Sequence, residues 1–179
     1  MDNDRNQLIQ YLTQTRNDLV SVLQGLSEAQ LDFKPAPERW SIAEIVEHIA
    51  RVENSAADKI VEQWATTGPM ESGSTGVSDD AFLKRLVDRS NRFEAPLPLR
   101  PTNQPVRASL KEFLTGRKRI IDFVQAAPKD FRRLSFEHRV FGRIDGHQRV
   151  LAVAGHCARH TIQINEVKAD SKFPGSGRR

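Results

Sequence analysis

This sequence predicts an all-α fold, a four-helix bundle with one long crossover between its second and third helices. Three observations carry that expectation. Four stretches, near residues 6–26, 41–64, 109–127 and 145–169, repeat apolar residues at the three-and-four spacing of an amphipathic helix. The segment 67–107 holds no sustained helical pattern and is interrupted by Gly68, Pro69, Gly73, Pro96, Pro98 and Pro101. A connection that long suits a crossover between two helices that run the same way. The length, 179 residues with 38% hydrophobic and 28% charged residues, fits one domain with a single core and a well-charged surface.

The first helix rests on Leu8, Leu12, Leu19, Leu23 and Leu26, with Gln10, Gln14, Arg16 and Asp18 on its other face and Gly25 near its end. Ser27 to Gln30 has the look of a cap opening a short turn, and Pro35 and Pro37 then impose an extended connection. The second helix opens at Ser41, with Glu44 three residues on as a capping box and Trp40 and Ile45 as a hydrophobic staple. Its stripe runs from Ile42 and Ile45 through Ile49, Val52 and Ile60 to Trp64. In the crossover, residues 79–90 form a short amphipathic piece through Phe82, Leu83 and Leu86.

The third helix is expected to begin near Ser109, with Glu112 three residues later, and to end near Ala127-Pro128. Residues 128–134 suggest one short helix, and 135–146 a loop with room for a short extended piece. Asp145 and Gln148 have the spacing that caps the fourth helix, whose stripe is Val150, Val153, Cys157, His160, Ile164 and Val167. The expected domain spans residues 1–170, and 171–179 is read as a flexible tail, frayed from Phe173.

The totals exclude several function classes. Net charge is +4, from 27 basic and 23 acidic residues. The basic groups, Arg117-Lys118-Arg119 among them, are scattered without interleaved aromatics, so a solvated surface is expected and nucleic acid is not expected as a partner. A single cysteine, Cys157, leaves no disulfide or cysteine-based zinc site within the chain. No continuous apolar run suggests a signal peptide or a membrane span, so no membrane partner is expected and the cytoplasm is the expected compartment.

The chemistry-bearing pattern is histidine. His156 and His160 are four apart on the fourth helix, which sets both imidazoles on one face, one turn apart. His160 falls on the apolar stripe and His156 beside it. His48 flanks the stripe of the second helix, where a polar group needs a partner. If the two helices pack side by side, three neutral imidazoles converge and leave a coordination position open, the pattern of a catalytic metal site. Gly155 admits a close neighbour at that turn. Two hydrogen-bonded or solvated histidines are the competing reading of the same spacing.

The other candidates are weighed the same way. Cys157 points about 100° away from His156 and reads as a core residue. Glu44 shares a face with His48, but its capping role takes precedence over that of a general base. Glu47 and Glu53 are expected at the surface, as are Arg51 and Arg159, which could otherwise receive an anionic substrate. Gln163, one turn past His160, is either a hydrogen-bond partner of the site or a polar flank residue.

Taken together, Trp40-Ser41 with His48, the cap Asp145-Gly146-His147-Gln148, and His156-x₃-His160-x₂-Gln163-Ile164 resemble the DinB-like (YfiT-like) superfamily. The similarity follows nearly the whole chain in helix order. The resemblance implies an up-down-down-up four-helix bundle, commonly a homodimer, with His48, His156 and His160 as metal ligands. It implies a divalent metal, zinc or nickel first. It further implies a metal-dependent hydrolase or a thiol S-transferase acting on a small-molecule substrate with a low-molecular-weight thiol such as bacillithiol, mycothiol or glutathione. His147 stands where such sequences often have an aromatic residue. It lies about two and a half turns before His156, too far to join the site. The alternative function is a non-catalytic metal-binding or stress-related helical scaffold.

Overall fold

The computed structural model describes residues 2–66, 76–90, 93–127, 130–138 and 140–175. Among the described residues there are six helices, α1 (Asp2–Leu23), α2 (Glu28–Leu31), α3 (Ile42–Thr66), α4 (Asp79–Val87), α5 (Val106–Ala126) and α6 (Gly146–Lys168), with a two-stranded hairpin of β1 (Ser135–His138) and β2 (Gly142–Asp145) before α6. Short 3₁₀ turns occupy Leu97–Leu99 and Phe131–Arg133. No described helix is long and apolar enough to cross a membrane.

The long helices α1, α5, α3 and α6 form a closed ring of neighbours in that order. Side-chain pairs fix their directions. Glu53 meets Arg117 and Trp64 meets Phe123, so α3 and α5 run parallel. Cys157 reaches Thr15 and Lys168 reaches Val22, so α1 and α6 run parallel. Arg117 meets Leu12 while Arg5 meets Ala127, so α5 opposes α1. The result is the expected up-down-down-up order, and the parallel pair α3 and α5 is what forces the long crossover.

Most starts and stops follow the sequence signals. Ser27 and Gln30 cap α2 reciprocally, and Asp145 accepts the Gln148 amide at 2.7 Å to start α6. Gly25, at φ +73°, closes α1 in the left-handed conformation that favours glycine. The third long helix starts earlier than Ser109, at Val106 behind Pro105, whose φ of −56° is already near helical; Ser109 is buried inside it. Of the short helix expected over 128–134, Phe131–Arg133 forms a 3₁₀ turn, and residues 128 and 129 lie outside the described ones. The expected loop over 135–146 contains the hairpin, with Gly142 at φ +68° at its turn. Residues 67–75 of the crossover and 176–179 of the tail lie outside the described residues. At the start of the tail Phe173 meets Phe33 edge-on at 5.5 Å, and Pro174 accepts a hydrogen bond from Gln30.

The core has two apolar clusters. One gathers Leu8, Leu12, Ile60, Trp64, Phe82 and Phe131; the other gathers Leu19, Ile42, Ile45, Ile49, Phe113 and Ile164. Between their residues along α1, α3 and α5 lies a polar knot. Glu53 is 1% exposed and Arg117 is 0% exposed, against the surface positions expected for both. Arg117 Nε and Nη2 donate to the two Glu53 oxygens at 2.5 and 2.9 Å, and Nη1 donates to Leu12 O and Thr15 Oγ1 at 2.6 and 2.7 Å. The fork geometry satisfies both charges, which is what allows them inside.

Candidate metal centre

His48 sits in the second turn of α3, and His156 and His160 sit one turn apart on the facing side of α6. The antiparallel contact of these helices brings all three together. The Nε2 atoms of His48 and His156 are 3.2 Å apart, and one ring nitrogen from each histidine lies within 4.8 Å of the others. Among the described residues this is the one such group of three histidine, cysteine or acidic side chains. Two nitrogens at about 2.0–2.1 Å from a tetrahedral zinc would stand roughly 3.3 Å apart, so the His48–His156 pair is already at ligand spacing.

Two of the three rings, His48 and His160, are oriented by a hydrogen bond from behind. His48 Nδ1 lies 2.7 Å from the carbonyl of Leu99, which can only accept, so Nδ1 carries the proton and Nε2 keeps its lone pair. His160 Nδ1 lies 2.8 Å from Gln163 Oε1. Gln163 is thus a partner of the site, the first of the two readings left open by its spacing. Ring orientation through the second nitrogen is the usual companion of metal ligation.

All three imidazoles are held neutral. Burial, then the neighbouring His160 and His48, pushes His156 well below the ordinary histidine range. Burial pushes His160 down to about 3, and lowers His48 against the opposing pull of its bond to Leu99. Neutral rings are the form that binds a cation. Trp40 walls the site, with its ring centroid 4.9 Å from His48 and 6.5 Å from His160. The sequence marked Trp40 as a staple and as part of the Trp40-Ser41 motif, not as a wall of the site.

The crossover completes the surroundings, and it explains why several expected surface residues are not at the surface. Glu47 is 1% exposed. Its Oε1 accepts from the Thr102 amide, the Thr102 hydroxyl and Arg51 Nε at 2.8, 2.9 and 3.0 Å, and its Oε2 accepts from the Gln104 amide at 2.9 Å. Burial pushes its carboxyl up, but the hydrogen bonds from Gln104, Thr102 and Arg51 outweigh this and hold it below the usual range. The clamp fixes the strand of chain that carries the Leu99 carbonyl. Asn103, between the clamped residues, takes φ 69°, a conformation asparagine tolerates. Arg51 also donates to Thr102 Oγ1 at 2.7 Å, so it docks the crossover and is not free for a substrate.

Arg159, expected on the surface, is buried and donates to the Leu86 and Asp88 carbonyls at the end of α4. Gly155 lets α4 lie down at this turn, because a Cβ there would stand 2.4 Å from Leu86 Cδ2. Glu44 is committed to the Ser41 cap, accepting its amide at 2.8 Å, and to Lys34 at 2.6 Å. Cys157 is fully buried and burial pushes its thiol up to about 12, so it is a core residue. His147 does not join the trio and lies 3.4 Å from Asp79.

Comparison with known proteins agrees with this picture. The curated protein YuaE of Bacillus subtilis (strain 168), itself uncharacterized, is 28% identical over 156 residues, covering 82% of this chain and 88% of YuaE. The solved structure of YfiT from Bacillus subtilis, described as a probable metal-dependent hydrolase with an unusual four-helix bundle topology, superposes with a TM-score of 0.62 at 16% identity over 95% of this chain and 89% of YfiT. TT2238, a four-helix bundle protein, superposes with a TM-score of 0.57 at 20% identity over 90% of this chain and 98% of its own. Those two likenesses speak for the fold. A family model matches residues 11–164, most of the chain, and by that match the chain belongs to the DinB superfamily.

Proposed function

We propose that this protein is a metal-dependent enzyme in which His48, His156 and His160 hold one divalent ion, zinc or nickel first, over a small-molecule substrate. The carrying observation is the convergence of three neutral imidazoles, with two Nε2 atoms at ligand spacing. A divalent ion on such ligands supplies a Lewis acid with an open position, able to lower the pKa of a bound thiol or water. His48 and His160 present Nε2 because Leu99 and Gln163 occupy Nδ1. Trp40 excludes water from one side of the rings. The ion would keep its full positive charge, since all three ligands are neutral.

The finer reading is transfer of a low-molecular-weight thiol, of the bacillithiol, mycothiol or glutathione type, to an electrophile. Its support is the commitment of the nearby groups. Glu44, Glu47 and Glu166 are each tied to cationic partners, and Cys157 is sealed in the core. A thiol nucleophile is therefore supplied from outside the chain. A hydrolase is the second reading, favoured by the description of YfiT as a probable metal-dependent hydrolase. Cytoplasmic location and a homodimer belong to the same proposal, and light scattering at twice 20.2 kDa checks the latter.

The experiment is a paired assay of zinc- and nickel-loaded protein. One arm offers each thiol with an activated halide and the other offers an activated ester without thiol. Thiol adduct formed by the wild type and lost in His160→Ala is the expected result. Ester cleavage alone selects the hydrolase, and inactivity in both arms with every loaded metal sinks the enzyme reading.

A further inference from the structure

We infer that Arg89 is a positioning residue of the metal centre: by fixing the Gln163 carboxamide it sets which ring nitrogen of His160 carries the proton. The inference rests on the metal-centre reading above and adds a residue to it. Arg89 lies in the crossover just beyond α4. Its Nε and Nη2 donate to the two carboxylate oxygens of Glu166 at 2.7 and 2.9 Å. That two-point grip aims Nη1 at Gln163 Oε1, 3.3 Å away. The same oxygen is the one 2.8 Å from His160 Nδ1.

A guanidinium has only donors, so the Gln163 atom facing Arg89 is the oxygen. That oxygen can only accept, so His160 Nδ1 carries the hydrogen and Nε2 keeps the lone pair a cation needs. Without Arg89 the pair Gln163 and His160 has a second solution. The carboxamide turns over, its NH₂ donates to Nδ1, and the proton moves to Nε2. The hydrogen bond between them survives, but a protonated Nε2 cannot bind a cation. A carboxamide and a neutral imidazole cannot by themselves choose between the two arrangements. Arg89 chooses, because the turned carboxamide would set donors against donors. His48 needs no such guard, since the Leu99 carbonyl has no donor face.

The test is ¹⁵N spectroscopy of the histidine rings in the metal-free full chain at about pH 8, where the imidazoles are neutral. In the wild type His160 is expected in the Nδ1–H form. In Arg89→Met it should shift toward Nε2–H while His48 is unchanged, which also reports an intact fold. Zinc affinity should weaken by about ten-fold or more, as for other residues that orient a ligand. Gln163→Glu, whose carboxylate has no donor face, should remove the dependence, so that adding Arg89→Met leaves the His160 tautomer in place. An unchanged His160 tautomer in Arg89→Met overturns the inference, and so does an equal change in both backgrounds. A wild type that takes up no zinc would defeat the metal reading, while the ring spectra would still decide the role of Arg89.

Discussion

Replacing Glu53 with alanine removes half of the buried ion pair and strands a charge in the bundle. Arg117 is 0% exposed and its partner 1% exposed, so water cannot substitute for the lost carboxylate without opening the core. Nη1 keeps Leu12 O and Thr15 Oγ1, whereas Nε and Nη2 lose the acceptors now at 2.5 and 2.9 Å. Breaking such a pair from one side costs about 3–5 kcal/mol. In a domain of this size each kcal/mol lowers Tm by about 2–4 °C, so the expected fall is about 6–20 °C. Thermal unfolding followed by circular dichroism, at fixed protein and metal concentration, measures it. The double variant Glu53→Met with Arg117→Met removes both charges and should lose less than the two single variants summed. A fall of about 2 °C or less for Glu53→Ala, or strict additivity in the double variant, would refute the view that Glu53 and Arg117 depend on each other inside the core.

Two further outcomes are expected. Glu47→Ala removes the acceptor shared by Thr102, Gln104 and Arg51, so hydrogen exchange over residues 97–104 should quicken and zinc affinity should drop by about ten-fold through the freed Leu99 carbonyl; unchanged exchange there would contradict the clamp. The pH dependence follows from the depressed histidines: His160 is held at about 3 and His48 and His156 are lowered, against roughly 6.5 in the unfolded chain, so the unfolded chain binds more protons below that pH. The metal-free protein is therefore expected to hold this stability in full above about pH 6.5 and to lose it progressively as pH falls toward 3, read as a falling urea midpoint; a midpoint that rises between neutral and acid pH would contradict the buried neutral rings.

The helical spacing of apolar residues made the bundle legible, and the Pro and Gly content of the crossover made the parallel helix pair legible. The histidine cluster was legible because His156 and His160 share a helix face and His48 flanks a stripe. What supports those rings was not. Leu99 acts through its backbone carbonyl, which no side-chain pattern announces. Glu47, Glu53, Arg117 and Arg159 look like surface residues because a helical stripe registers only apolar positions, and their burial depends on partners distant in sequence. Arg89 joins the site across more than seventy residues, at a spacing no local period contains. The early start of α5 was open to view in Pro105, whose preference for the helix entrance competes with the Ser109–Glu112 pattern.

The most direct measurement is elemental analysis of purified protein, wild type beside His48→Ala, His156→Ala and His160→Ala. About one equivalent of a divalent metal in the wild type, lost from each variant while its fold is retained, is the expected result. No bound metal in the wild type after incubation with zinc or nickel would contradict the account, and the three histidines would then be a hydrogen-bonded core cluster.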